Sequence, residues 1–194
     1  MDTRLVVGLG NPGPEYADTR HNLGFRVVER IAEGLGAPWS RQGRSFVART
    51  EVEAAHGRAL ALLARPQTFM NLSGRAARDL LEDAGPEAAL LVVCDDFHLP
   101  LGRLRCRAAG SDGGHNGLAS VIEALPGRDV ARLRLGIGEP PPSCPAEDYV
   151  LQAFKRGERA EVQALVERAA DLLREWLGHG DLGRLINAAN APPA

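Results

Sequence analysis

Leu90-Leu91-Val92-Val93-Cys94-Asp95-Asp96 is the stretch that decides the fold. Its apolar run leaves no polar face, as expected of a central strand covered on both sides, the signature of a parallel sheet between helical layers. Two acids follow the run directly. An acid at the carboxyl end of such a strand has no folding reason to be there, and that end is where open α/β sheets place their sites. Successive side chains alternate faces, so only one of Asp95 and Asp96 can point into a given cleft.

Outward from this strand the chain alternates between the two periodicities. Leu5-Val6-Val7, ended by Gly8, reads as a second buried strand, and the Gly- and Pro-rich residues 8–20 as the loop after it. Phe25, Val28, Ile31, Ala32 and Leu35 recur at helical spacing and stop at Gly36, with Asn22 placed to cap the helix. Residues 45–53 and 59–64 predict two strands joined by a turn at His56-Gly57, followed by a helix over Leu72–Ala84. Arg103–Arg107 alternates basic and apolar residues like a strand with one solvated face. A glycine-rich loop (110–117), a helix over Leu118–Leu125 and a last strand over Val130–Ile137 come next. Residues 139–145 (EPPPSCP) cannot be regular structure. A long amphipathic helix over Gly157–Leu177, a short helix and a tail expected to be disordered over 188–194 complete the chain. The expectation is an α/β fold: one three-layer domain over 1–194, a mixed, mostly parallel sheet flanked by helices.

Composition narrows the function. The 194 residues suit one domain, and no apolar stretch approaches the roughly 18 residues of a membrane span. The amino terminus has an acid at position 2 and a short apolar run, unlike a signal peptide, so a cytoplasmic protein is expected. Cys94, Cys106 and Cys144 form no CxxC and predict neither a disulfide framework nor a zinc ribbon. The net charge is −2, yet residues 103–134 carry six arginines against three acids. Basic residues are almost all arginine, with Lys155 the single lysine, so an isolated arginine carries little information.

Gly8-x-Gly10-x-x-Gly13 matches the dinucleotide fingerprint only formally, because Pro12 and Pro14 flank the third glycine and no helix begins there. No Gly-x-Ser-x-Gly elbow exists, and the histidines show no metal-ligand spacing. What remains is a set of polar residues on loops at element ends: Asn11, Tyr16, Arg20, His21 and Asn22; Met70-Asn71; Asp95-Asp96; and Gly113-Gly114-His115-Asn116-Gly117. Taken singly, each has a structural explanation, such as a cap or a turn. Together they suit a hydrolytic site using water and a histidine base, without metal or cofactor.

Six ordered motifs carry a resemblance. They are Gly8-Leu9-Gly10-Asn11-Pro12-Gly13, Thr19-Arg20-His21-Asn22-Leu23-Gly24, and Pro66-x-x-Phe69-Met70-Asn71-x-Ser73-Gly74, then Asp95-Asp96, Gly113 to Leu118, and Arg132-Leu133-Arg134-Leu135-Gly136-Ile137-Gly138. In that order, over residues 3–187, the chain resembles bacterial peptidyl-tRNA hydrolases. The resemblance implies hydrolysis of the ester between a peptide and the 3′-terminal ribose of tRNA. It implies His21 as the base that activates water, Asp95 as its orienting partner and Asn11 as a holder of the reacting carbonyl. It implies that Asn71, Gly114, His115 and Asn116 bind the peptide and terminal adenosine, with Tyr16 and Met70 shaping the cleft. Arg107 and Arg134 fall where the family places basic residues at the tRNA 5′-phosphate. The implied partner is peptidyl-tRNA, met at its acceptor stem and CCA end by a monomer, without membrane or metal. Cys94, His98 and Glu139 depart from the family pattern without touching these assignments.

Two other classes compete. A non-catalytic RNA-binding relative would have no reason to keep His21, Asp95 and Asn11 together. An esterase for small esters would have no use for the arginine excess over 103–134, which suits a polyanion.

Overall fold

The computed structural model describes residues 1–55 and 57–192. One seven-stranded sheet runs through it in the order β2-β3-β4-β1-β5-β7-β6. The strands are β1 (Asp2–Gly8), β2 (Trp39–Gln42), β3 (Ser45–Ala54), β4 (Gly57–Pro66), β5 (Ala89–Asp96), β6 (Leu104–Arg107) and β7 (Ala131–Gly136). β4, β1, β5 and β7 are mutually parallel and form the middle, whereas β2 and β3 at one edge and β6 at the other run antiparallel to their neighbours. The expected mixed, mostly parallel sheet is the observed one.

Helices cover both faces. On one side lie α1 (Leu23–Leu35), α5 (Arg159–His179) and α6 (Leu182–Asn190), packed on Val6, Leu91, Val93, Leu133 and Leu135. On the other lie α2 (Ser73–Ala84) and α3 (Asn116–Ala124), packed on Leu5, Val7, Val92 and Cys94. Leu91, Val92 and Val93 are fully buried, alternating between the two cores. Each such side chain contributes roughly 1.5–3 kcal/mol of transfer free energy. That requirement for two apolar layers explains why β5 has no polar face.

Glycine permits the close approach that brings the first loop to the first helix. A Cβ on Gly24 would lie 2.4 Å from the Leu9 nitrogen and 2.4 Å from the Val93 oxygen, so α1 starts directly against the β1 and β5 ends. α1 ends as expected at Gly36, in the left-handed conformation.

Several boundaries differ from the sequence reading. β5 continues through both acids, so Asp95 and Asp96 are strand residues. β2 and a short helix α4 (Ala146–Val150) were not anticipated. Asn22 occupies the N-cap position of α1 without capping it, because its amide is engaged elsewhere. Residues 188–190 are helical, not disordered. Ala189 is buried and the Asn190 amide bonds both backbone groups of Cys106, covering part of the exposed edge of β6. Of the expected turn and tail, His56, Pro193 and Ala194 lie outside the described residues. Among the described residues no helix is long and apolar enough to cross a membrane.

Candidate active site

The loops at the carboxyl ends of β1, β4, β5 and β7 converge. His21 sits in a one-turn 3-10 helix, Arg20–Asn22, just before α1. That turn is fixed from three directions. The Arg20 backbone N–H donates to Gln152 O at 3.0 Å. The Arg20 guanidinium, 1% exposed, lies between the rings of Tyr149 (4.4 Å) and Phe154 (4.5 Å) and donates to Glu158 Oε2 at 2.7 Å. On the other side, Asn22 accepts from the Asn11 N–H (2.8 Å) and donates to Asn11 O (2.9 Å).

Asn11 is thereby aimed. Its Oδ1 accepts from the Met70 N–H at 2.8 Å, which leaves its side-chain NH2 as a donor with no partner among the described residues. Met70 is buried, and its sulfur blocks any side chain at Gly117, so the loop before α3 packs directly on it.

Asp95 collects two histidines on one oxygen. Its Oδ1 lies 2.8 Å from His21 Nδ1 and 3.0 Å from His115 Nε2. His21 comes from the α1 layer and His115 from the start of α3 in the opposite layer. The hydrogen bonds fix both rings. Leu118 N–H donates to His115 Nδ1 at 3.1 Å, so the His115 proton is on Nε2 and is given to Asp95. His21 donates from Nδ1, which leaves its Nε2 lone pair without a protein partner among the described residues. Burial pushes the Asp95 pKa up, but the facing imidazoles of His21 and His115 outweigh it and hold the carboxyl well below its ordinary range.

Sequence spacing gave no hint that His21, Asp95 and His115 would converge, yet one ligand-type atom of each lies within 4.8 Å of the others. The donor set fits a hydrogen-bond relay and not a metal. A metal on His115 Nε2 would require its proton to move to Nδ1, against the Leu118 N–H.

Asp96, on the opposite face, pairs with Arg134 at 3.2 Å and accepts from the His98 N–H at 2.9 Å. The two acids thus take different partners, but both reach one cavity, against the expectation that only one of them could point into a given cleft. Asp95, Asp96, His21, Gly114, His115, Asn116 and Arg134 line a cavity of about 260 Å3, closed by Phe97, Ala146, Glu147 and Val150. Asn11, Tyr16, Met70, Asn71 and Arg107 do not line it, nor do Cys94, His98 or Glu139. Arg107 and Arg134 are diagonal neighbours, because the register sets Arg107 opposite Arg132 and Arg105 opposite Arg134. All four share one face of the β6–β7 pair. Arg132 is 1% exposed and holds only Ser111 O, at 3.3 Å; burial, then the charges of Arg134 and Arg107, lower its pKa.

Sequence reasoning missed Arg20 as the anchor of the histidine turn, as well as Arg132 and the α4 wall. Arg20 was visible in Thr19-Arg20-His21-Asn22, but in an arginine-rich chain its type carried no weight, and its partners lie more than 110 residues away.

Comparison with known proteins gives the family. The peptidyl-tRNA hydrolase family model matches residues 5–193. The chain is 46% identical over 169 residues to a peptidyl-tRNA hydrolase of Mycobacterium tuberculosis, covering 86% of this chain and 87% of that one. It is 42% identical over 181 residues to that of Geobacter sulfurreducens, covering 93% and 92%. The crystal structure of the Acinetobacter baumannii peptidyl-tRNA hydrolase superposes with a TM-score of 0.82 at 32% identity, covering 97% of this chain and 95% of that chain. The chain belongs to the peptidyl-tRNA hydrolase family.

Proposed function

We propose that this member of the family hydrolyses the ester joining a peptide to the 3′ ribose of tRNA, with His21 as the base. The observation that carries the reading is the His21–Asp95 pair, 2.8 Å at Nδ1, with Nε2 left open. A water on Nε2 attacks the acyl carbonyl as the imidazole takes its proton. Asp95 holds the ring in that tautomer and stabilises the imidazolium, as the acid of a triad does, but here water takes the place of the protein nucleophile. The free NH2 of Asn11 donates to the oxyanion, fixed beforehand by the Met70 N–H. Collapse breaks the acyl–oxygen bond. The ribose oxygen leaves with the proton from His21 Nε2, and the peptide leaves as a carboxylate.

The remaining assignments rest on the resemblance, with Gly114, His115, Asn116 and Arg134 supported by their place in the cavity wall. Gly114, His115 and Asn116 border the cavity beside His21 and would meet the terminal adenosine, with Asn71, Met70 and Tyr16 toward the peptide. Arg107 and Arg134 would meet the 5′-phosphate at the end of the acceptor stem, by charge and bidentate hydrogen bonds. The protein would act as a monomer in the cytoplasm. The test is incubation with N-acetyl-aminoacyl-tRNA and, separately, with the unblocked aminoacyl-tRNA. Release from the first alone is expected, and release from neither would overturn the reading.

A further inference from the structure

β6 ends the sheet, and its two backbone edges have different partners. It pairs with β7 alone, Arg105 opposite Arg134 and Arg107 opposite Arg132, and the Gly136 N–H donates to Arg103 O at 2.8 Å. In an antiparallel pair the backbone groups of successive residues point to opposite edges. Those of Arg103, Arg105 and Arg107 therefore serve β7, and those of Cys106 point outward. One side chain takes both outward groups. The Cys106 N–H donates to Asn190 Oδ1 at 2.8 Å, and Asn190 Nδ2 donates to Cys106 O at 3.1 Å. The amide stands in for one residue of a further strand.

The helix end that carries this amide is itself held. Ala189 is buried, and Arg168 of α5 donates to Ala188 O at 3.3 Å and to Ala191 O at 3.0 Å. Asn190 thus grips β6 midway between Arg105 and Arg107, and with them and Arg103 it lines a cavity of about 240 Å3. The strand needs that grip. It has four residues and one neighbouring strand, so it is a segment that opens easily. Its two exposed guanidiniums stand against those of Arg132 and Arg134, and like charges set opposite one another push the pair apart. A phosphate that meets a face already held in place does not bear the cost of assembling it.

We infer that Asn190 is a positioning residue of the arginine face: it fixes β6 so that Arg107 stands ready beside Arg134, and through it the carboxyl-terminal helix serves substrate reading without touching substrate. The inference rests on the reading of Arg107 and Arg134 as contacts of the 5′-phosphate. It is tested with N-acetyl-phenylalanyl-tRNA carrying either a 5′-phosphate or a 5′-hydroxyl, comparing kcat/KM for the two. That ratio does not depend on the fraction of enzyme that folds. The unsubstituted enzyme should prefer the phosphorylated substrate. Asn190→Ala should lower the preference by about two- to tenfold, the net worth of a hydrogen bond, through KM and with kcat unchanged. Asn187→Ala, at an exposed position three residues earlier on the same helix, should keep the full preference. An undiminished preference in Asn190→Ala, or an equal loss in Asn187→Ala, would overturn the inference and leave the phosphate reading standing. No preference in the unsubstituted enzyme would overturn the phosphate reading and the inference with it.

Discussion

The two flanks of the His21–Asp95 pair use the same side chain in opposite ways. On the β3–β4 flank, Arg65 is paired with Glu29 and covered by three aromatic rings. On the β6–β7 flank, Arg105, Arg107, Arg132 and Arg134 share a face, and the one salt bridge among the described residues there is Asp96 to Arg134. A guanidinium with its carboxylate in place is part of the packing. One held in the interior against a single carbonyl, as Arg132 is, keeps its field for something from outside. In a chain with 22 arginines the residue type says nothing, and the partner says everything.

The largest effect expected falls on the line between the flanks. His21→Ala should lower kcat by 10²–10⁴-fold, the typical contribution of a general base, while tRNA affinity stays near that of the unsubstituted enzyme. Single-turnover hydrolysis with a filter-binding control measures both. More than about a hundredth of the rate remaining would show that the base lies elsewhere.

The two acids of β5 divide the flanks next. Asp95→Asn should cut kcat strongly, because the amide no longer orients His21 as an anion does and no longer stabilises its charged form. Asp96→Asn acts on the other face. It should lower the melting temperature, since it leaves the largely buried Arg134 without its counter-ion, and should raise KM more than it lowers kcat. Equal kcat losses in the two variants would erase the distinction between the faces.

The arginine face gives a smaller, salt-dependent effect. Replacing both Arg107 and Arg134 by Ala should raise KM with little change in kcat. A substrate lacking its 5′-phosphate should penalise the unsubstituted enzyme and not the double variant. If both lose the same factor, these side chains do not read the phosphate. The smallest effect is the sharpest comparison. Arg107→Ala should make the dependence of log affinity on log salt shallower by just under one unit, and Arg65→Ala should leave that slope unchanged. A shallower slope for Arg65→Ala would mean that Glu29 does not neutralise it.

The sequence was most legible where one physical requirement dominated a segment. The unbroken apolar run of Leu90–Val93 had to be a doubly covered strand, and the spacing of Phe25, Val28, Ile31 and Leu35 had to be a helix stopping at Gly36. The short α4 and β2 have too few residues for either period to show. Asn22 illustrates a different limit. It stands where a cap belongs, but a longer-range bond to the Asn11 backbone wins over the local one. The split of Asp95 and Asp96 between different partners was readable because alternation is local geometry, although both acids reach one cavity. The sharing of Asp95 by His21 and His115 was not, because it depends on how two helical layers close over one strand end.

The anchoring of Arg20 sets an order on the making of this protein. The histidine turn is emplaced early, at positions 20–22, but what holds it — Tyr149, Phe154, Glu158 and the Gln152 carbonyl — comes off the ribosome more than 125 residues later. A nascent chain therefore carries all its chemistry-bearing side chains, through Asn116 and Arg134, before it owns a rigid base. A chain released before residue 149 keeps every polar group named in the reaction and still lacks the cage that positions one of them. Such a fragment would be silent toward peptidyl-tRNA, and activity would begin only with the near-complete polypeptide.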